Sequence, residues 1–295
     1  MTRIGRGAPA LAVFLLIASA CSTTGSSPTP SAVGSLPPSS VGASASVAPS
    51  VGPNVAAIVA RGTILNCFSP DFPPYESIDP NGNFYGFDVD MFDEVANRLH
   101  VTSTWIDMPF DVTLASLQAG KCDVSVSTQQ KTPDNQSAVN FTVEYEPATT
   151  SFLERNNENI QLTKPEDVAK YIVGVQTGGT NEKWLKDHLV TPGLMPASHL
   201  KTYERADASL LDLVNGRLDL ITTEGNTGAL YAKTKPVKSA LITTKMNASN
   251  YVIMVRKGWD DLTQAIDAQL MAMIADGTMA RLEKKWNLVE PPPGA

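Results

Sequence analysis

Five groups of residues in this 295-residue chain have types and spacing that could do chemistry. Glu224 ends the run Leu220-Ile221-Thr222-Thr223, and a carboxylate delivered there can pair with a cation. Thr177-Gly178-Gly179-Thr180-Asn181 precedes a helix that starts near Glu182. Two glycines ahead of a helix N-terminus either free backbone N–H groups to cradle a small anion such as a carboxylate or make a simple tight turn. No Gly-Lys-[Ser/Thr] follows, which argues against a nucleotide loop. Ser69, Asp71 and Phe72 come after an apolar stretch, Phe110 ends another, and Thr128 and Gln130 end a third. Together these offer aromatic walls, hydroxyls and carboxylates for gripping a small polar solute.

Catalytic and metal chemistry find little support. His100, His188 and His199 lie on separate elements without metal-ligand spacing, and His188 and His199 are expected at a surface. No Gly-x-Ser-x-Gly elbow and no paired Cys and His arrangement occurs. Asp88 is expected to cap a helix, with Asp90, Asp93 and Glu94 on its solvated face. No catalytic residue, metal or cofactor is expected.

The elements that must position these residues are visible in an internal repeat. Leu114-x-x-Leu117-x-x-Gly120-Lys121-x-Asp123-Val124 matches Leu210-x-x-Leu213-x-x-Gly216-Arg217-x-Asp219-Leu220. In each copy leucines three apart line a helix face, a glycine supplies a left-handed cap, and an apolar strand begins at once. Each copy follows an earlier strand, Thr63 to Phe68 or Tyr171 to Gln176. Strand–helix–strand order predicts parallel pairing with right-handed crossovers, hence two α/β lobes whose ligand crevice lies at the carboxyl ends of the strands. Asp123 and Asp219, at matching turns, are expected to be structural.

The chain ends set the compartment. Residues 1–20 carry Arg3 and Arg6, a short apolar stretch and small residues before Cys21, so they read as a cleaved signal peptide with Cys21 as a lipidation site. Residues 21–60 then read as a lipid-anchored, disordered tether, because Ser22 to Ala60 contain no charged or aromatic residue and cannot bury enough apolar surface to offset ordering entropy. Cys67 and Cys122 remain, an even pair in an exported protein, expected as a disulfide, with two buried thiols the alternative. A formal net charge of -7 without a basic cluster argues against nucleic acid as a partner.

Six segments together carry a family resemblance: Pro73-Pro74-Tyr75-Glu76, Gly86-Phe87-Asp88-Val89-Asp90, Leu117 to Asp123, Val173 to Gln176, Asn215 to Asp219, and Ala275-Asp276-Gly277-Thr278 with Lys284-Lys285-Trp286. From about Thr63 to Trp286 the chain resembles the family 3 extracellular solute-binding proteins, the amino-acid-binding subunits of ABC importers. The resemblance implies a two-lobed, type II periplasmic-binding-protein-like α/β fold, with two mixed, mostly parallel sheets flanked by helices and a hinge of two crossover segments. Lobe 1 would comprise residues 61–146 and 251–290, and lobe 2 residues 151–245. It also implies lobes that close on a bound solute, ABC permease subunits as partners, a monomer, and an extracytoplasmic location on the cell membrane through the lipid anchor.

Transferred residue by residue, the resemblance puts aromatic walls at Phe72 and Phe110 and hydroxyl and amide groups at Thr128 and Gln130. It puts a carboxylate clamp at Thr180 with the Gly178 and Gly179 amides, and the acid for a ligand ammonium at Glu224. One match fails. The family's Thr-x-x-Arg reads Thr132-Pro133-Asp134-Asn135 here, so Asn135 stands where a carboxylate-gripping arginine is usual. Lys131 could substitute or be solvated, and Asp71, Glu144 and Glu146 would make the cleft acidic. The expected ligand is a polar or cationic amino acid. The alternatives are a cationic solute without an α-carboxylate, a sensor input, and a cyclohexadienyl-dehydratase-like enzyme.

Overall fold

The two copies of the repeat fold alike. The computed structural model, which describes residues 52–290, contains the helices Phe110–Gln118 and Ala206–Val214 at the repeat positions. Leu117 and Leu213 are fully buried beneath them. Gly120 and Gly216 both take φ of 74°, a left-handed conformation that L side chains adopt only with strain. Each glycine lets the chain reverse, so that the Lys121 and Arg217 amides donate back to Ser116 and Asp212 at 3.0 and 2.9 Å. The aspartates then act in parallel. Asp123 accepts from the Leu65 amide at 2.9 Å and Asp219 from the Ile172 amide at 2.8 Å, pinning each repeat strand to the opening strand of its own sheet.

Two five-stranded sheets result, built to one plan. The first runs Thr102–Asp107, Thr63–Phe68, Val124–Ser125, Met254–Val255, Asn140–Phe141; the second runs Leu200–Tyr203, Val173–Gln176, Leu220–Glu224, Thr150–Arg155, Val237–Thr243. In both, the first three strands pair in parallel and the last two join antiparallel. A three-stranded sheet of Asp71–Phe72, Glu76–Ile78 and Phe84–Tyr85 sits beside the first. The chain passes between the two sheets twice, before Thr150 and after Thr243, and the passages are tied where Tyr251 bridges Glu146 and Gln130.

Helices cover the sheets according to the strand period. Phe152 and Leu153, neighbours on one strand, point to opposite faces and enter separate cores. In the first sheet, Phe87, Met91, Phe92 and Val95 of helix Phe87–Arg98 pack with Leu262, Ile266 and Leu270 of helix Asp260–Ala275. Cys67 and Cys122, both fully buried, form a disulfide with a Cα–Cα distance of 5.7 Å. It links the opening strand to the turn before the repeat strand.

Two expectations are corrected here. Residues 53–60, assigned to the disordered tether, belong to the helix Pro53–Arg61. Val55 and Ile58 are buried in the first core, and Asp261 accepts from the amides of Asn54 and Val55 at 2.8 and 3.2 Å. Composition hid the helix, because the Ala-rich, uncharged stretch borrows its cap from a residue some two hundred positions away. Residues 1–20, Cys21 and the rest of the tether lie outside the described residues. Asp88 is not a cap either. Gly86 holds that position, and Asp88 is wholly buried on the inner face of its helix. Ile58→Ala is expected to lower unfolding free energy by about 2–4 kcal/mol in urea titrations, because it deletes fully packed carbons; an unchanged midpoint would remove Pro53–Arg61 from the cooperative fold.

Candidate functional site

The carboxyl ends of both parallel ladders converge on a cleft between the sheets. From the first come Phe72, Phe110 and Thr128; from the second come Val175 and Gln176, the loop residues Gly179 to Asn181, and Thr222 with Glu224. They enclose an inner cavity of about 20 Å³, beside an outer one of about 170 Å³ that shares Phe110, Thr128, Gly179 and Thr180. Thr222 and Glu224, two apart on one strand, project to the same side.

Glu224 is the sole ionisable residue among those lining the inner cavity. It is 7% exposed and accepts a hydrogen bond from the Tyr251 hydroxyl. Burial pushes its carboxyl up to about 7, and the tyrosine only partly opposes this. The Thr222 hydroxyl next to it is buried without a hydrogen-bond partner among the described residues. The combination is an acid and a hydroxyl at the end of a slot walled by two phenylalanines. It can grip a positively charged nitrogen that donates hydrogen bonds.

Thr128 is held in an unusual backbone conformation. Its φ is 43°, costly for a β-branched residue, and its amide donates to Asp88 at 3.0 Å. Asp88 also accepts from Tyr145, so a buried carboxylate fixes the turn that presents Thr128 to the cavity.

Other expected site residues are engaged elsewhere. Asp71 accepts from the Gln176 side chain at 2.9 Å and from the Ala206 amide at 2.7 Å, while Arg205 donates to Ser69 at 3.3 Å and pairs with Asp107 at 2.6 Å. Ser69 and Asp71, at the junction of the first sheet with the three-stranded sheet beside it, therefore join that side of the cleft to the start of the helix Ala206–Val214 and do not line the inner cavity. Asn135 staples its own loop, accepting from Thr132 and donating to the Gln130 carbonyl at 2.8 and 2.9 Å. The Gln130 side chain accepts from Ala248, and both residues line only the outer cavity. Gly178 also lines the outer cavity; its φ of 81° and its approach to Asp111 exclude a side chain, and its amide donates to Glu182 at 2.7 Å. Lys131 borders a separate surface cavity, and Glu144 bonds Asn250.

The sequence profile of the bacterial extracellular solute-binding proteins, family 3, matches residues 64–289. The chain belongs to this family. A putative ABC transporter arginine-binding protein 2 of Escherichia coli (strain K12) is 28% identical over 232 residues, covering 77% of this chain and 91% of that protein. An ancestral arginine-binding protein bound to arginine superposes with a TM-score of 0.70 at 30% identity, covering 77% of this chain and 98% of the other. An ancestral amino acid-binding protein described as a precursor of cyclohexadienyl dehydratase gives a TM-score of 0.70 at 27% identity, covering 79% and 99%.

The family's lobes are here joined by direct contacts. Besides the Asp71 and Arg205 bonds, Asn226 donates to the Tyr75 hydroxyl at 2.8 Å, Tyr251 donates to Glu224, and Lys183 pairs with Asp134 at 3.0 Å. Val175 lines the cavity without being expected there, and Gln176, Asn181 and Thr222, which flank the expected residues, line it too. The signal for Thr222 was its two-residue spacing from Glu224, and for Val175 and Gln176 their place on the strand that feeds the glycine loop. Among the described residues no group of His, Cys, Asp and Glu could hold a metal ion. His100 and His188 are exposed, His188 stacking on Trp184, and His199 is half-buried.

Buried carboxyls crowd this region. Desolvation pushes Asp71 and Asp88 up to about 6 and Glu146 up to about 8, and it raises Glu76, which also faces Asp88. Tyr75, Tyr145 and Tyr251 face these groups and are themselves raised by burial. With folded values above the ordinary carboxyl range, the folded protein binds more protons than the unfolded chain. Their stabilising contribution is therefore complete below about pH 4 and is lost as pH rises through 6 to 8. Urea midpoints without solute are expected to fall between pH 5 and pH 8; a rising midpoint would show that these carboxyls ionise without cost.

Proposed function

We propose that the protein captures a small solute carrying a positively charged nitrogen and delivers it to the permease subunits of an ABC importer. The observation that carries this reading is Glu224, a buried acid at the end of an aromatic slot whose lining holds no opposing charge. Phe72 and Phe110 would cover the cation with their ring faces, and Thr128, Thr180 and Thr222 would supply hydroxyls. Family membership and the named relatives, which bind amino acids, support a solute of that size. The receptor would work as a monomer anchored at Cys21 on the outer side of the cell membrane, after removal of residues 1–20. Its lobes would comprise residues 61–146 with 251–290, and 151–245, the latter swinging about the passages near Glu146 and Tyr251.

Bonds such as Asp71 to Ala206 would hold the lobes together once a solute is enclosed. An enzymatic reading draws only on the likeness to the dehydratase precursor. Incubation with prephenate or arogenate separates it from binding, since the receptor reading expects no aromatic product.

Glu224→Gln is expected to weaken binding of the captured cation by about 100-fold in calorimetry, because the solute's charge would be buried without a counter-charge. Since only ionised Glu224 pairs with the cation, wild-type affinity should be about tenfold higher at pH 8 than at pH 6. An affinity that is flat or falls over that interval would contradict the assignment.

A further inference from the structure

Around the cleft, several donors that could hold a ligand carboxylate already hold carboxylates of the protein. The Gly178 amide donates to Glu182, itself 6% exposed, and the Thr128 amide donates to Asp88. The Ala206 amide and the Gln176 side-chain amide both donate to Asp71. The cations nearby are spent as well. Lys183, which borders the outer cavity, lies 3.0 Å from Asp134 and 2.9 Å from Asp187, and Arg205 is clamped between Asp107 and Ser69. Asn135 donates its amide to its own loop. The inner cavity itself is lined by one acid and no base.

A zwitterionic amino acid brings one charge of each sign into such a site. Its ammonium finds Glu224, but its carboxylate finds no base in the inner cavity and meets Glu182 on the Gly178 amide, so it would be buried without a counter-charge. A monocation leaves nothing unpaired. Glu224 accepts a single hydrogen bond from the described residues and has room for further donors, which a quaternary ammonium lacks and an amine or guanidinium has.

We infer that the solute is an organic cation with N–H groups and no α-carboxylate, of the amine or guanidine class, and that Glu182 excludes amino acids by occupying the Gly178 amide. The inference rests on the reading of Glu224 as the cation's partner. Glu182 is thus a specificity-determining residue that acts from outside the inner cavity.

The test is calorimetry on the full chain in detergent with matched probes: histidine and histamine, phenylalanine and phenethylamine, leucine and isopentylamine, with choline as the quaternary cation. At least one decarboxylated probe should bind about tenfold or more tightly than its parent amino acid, the span expected for one charge-assisted contact left unmade. Glu182→Ala should narrow that gap by tightening the amino acid while leaving the amine unchanged. Parent amino acids binding as tightly as their amines, or an unchanged gap in Glu182→Ala, would overturn the inference while leaving the cation reading intact provided Glu224→Gln still weakens binding. Choline binding more tightly than every N–H cation would overturn the N–H requirement. If no probe binds and Glu224→Gln melts like the wild type with each, the cation reading fails and the inference falls with it.

Discussion

A carboxylate taken out of water must find donors, a counter-charge or a proton, and this protein buries several of them around one cleft. Each is solved differently. Asp88 is given a backbone amide and a tyrosine hydroxyl, and it thereby holds Thr128 in a left-handed turn. Asp71 takes the amide of Ala206 across the cleft and joins the two lobes. Glu182 closes onto the glycine loop that precedes its own helix. Glu224 receives one tyrosine hydroxyl and is left the least satisfied of these groups. The geometry of the site follows from which carboxylates are satisfied within the protein and which is left facing the cavity.

Closure and selectivity share these contacts. The bonds of Asp71, Arg205 and Tyr75 run directly between lobes, so the cleft can close without the solute bridging every gap. On the proposed reading a solute then needs to satisfy only what remains, the acid and hydroxyl at the end of the slot. The exposed ion pairs contribute little energy in water, whereas the buried acceptors are costly to leave unmade, so the latter hold the arrangement.

Much of the scaffold was legible before any coordinates. The repeated leucines, glycine and aspartate implied two α/β units, and the equivalent hydrogen bonds of Asp123 and Asp219 show why: the motif is local and closes its own turn. The site was legible in part. Phe72, Phe110, Thr128, Gly179, Thr180 and Glu224 meet in the inner cavity, because strand ends are set by the same local pattern. Ser69, Asp71, Gln130, Asn135 and Gly178, expected as ligand groups, bond to the protein, and a polar residue at a strand end looks the same in sequence whether its partner is a solute or a residue far along the chain. The helix Pro53–Arg61 was missed for a related reason, its cap being supplied by Asp261.

Sequence alone determined the strand–helix–strand units and the presence of one acid at the mouth of the second sheet. Those properties depend on residues within a few turns of one another, or on chemistry that any folded arrangement must respect. Only tertiary structure decided which polar groups remain for a ligand. Hydrogen-bond donors are consumed one at a time by whatever acceptor folding brings within 3 Å, and Glu182, Asp88 and Asp71 reach them first.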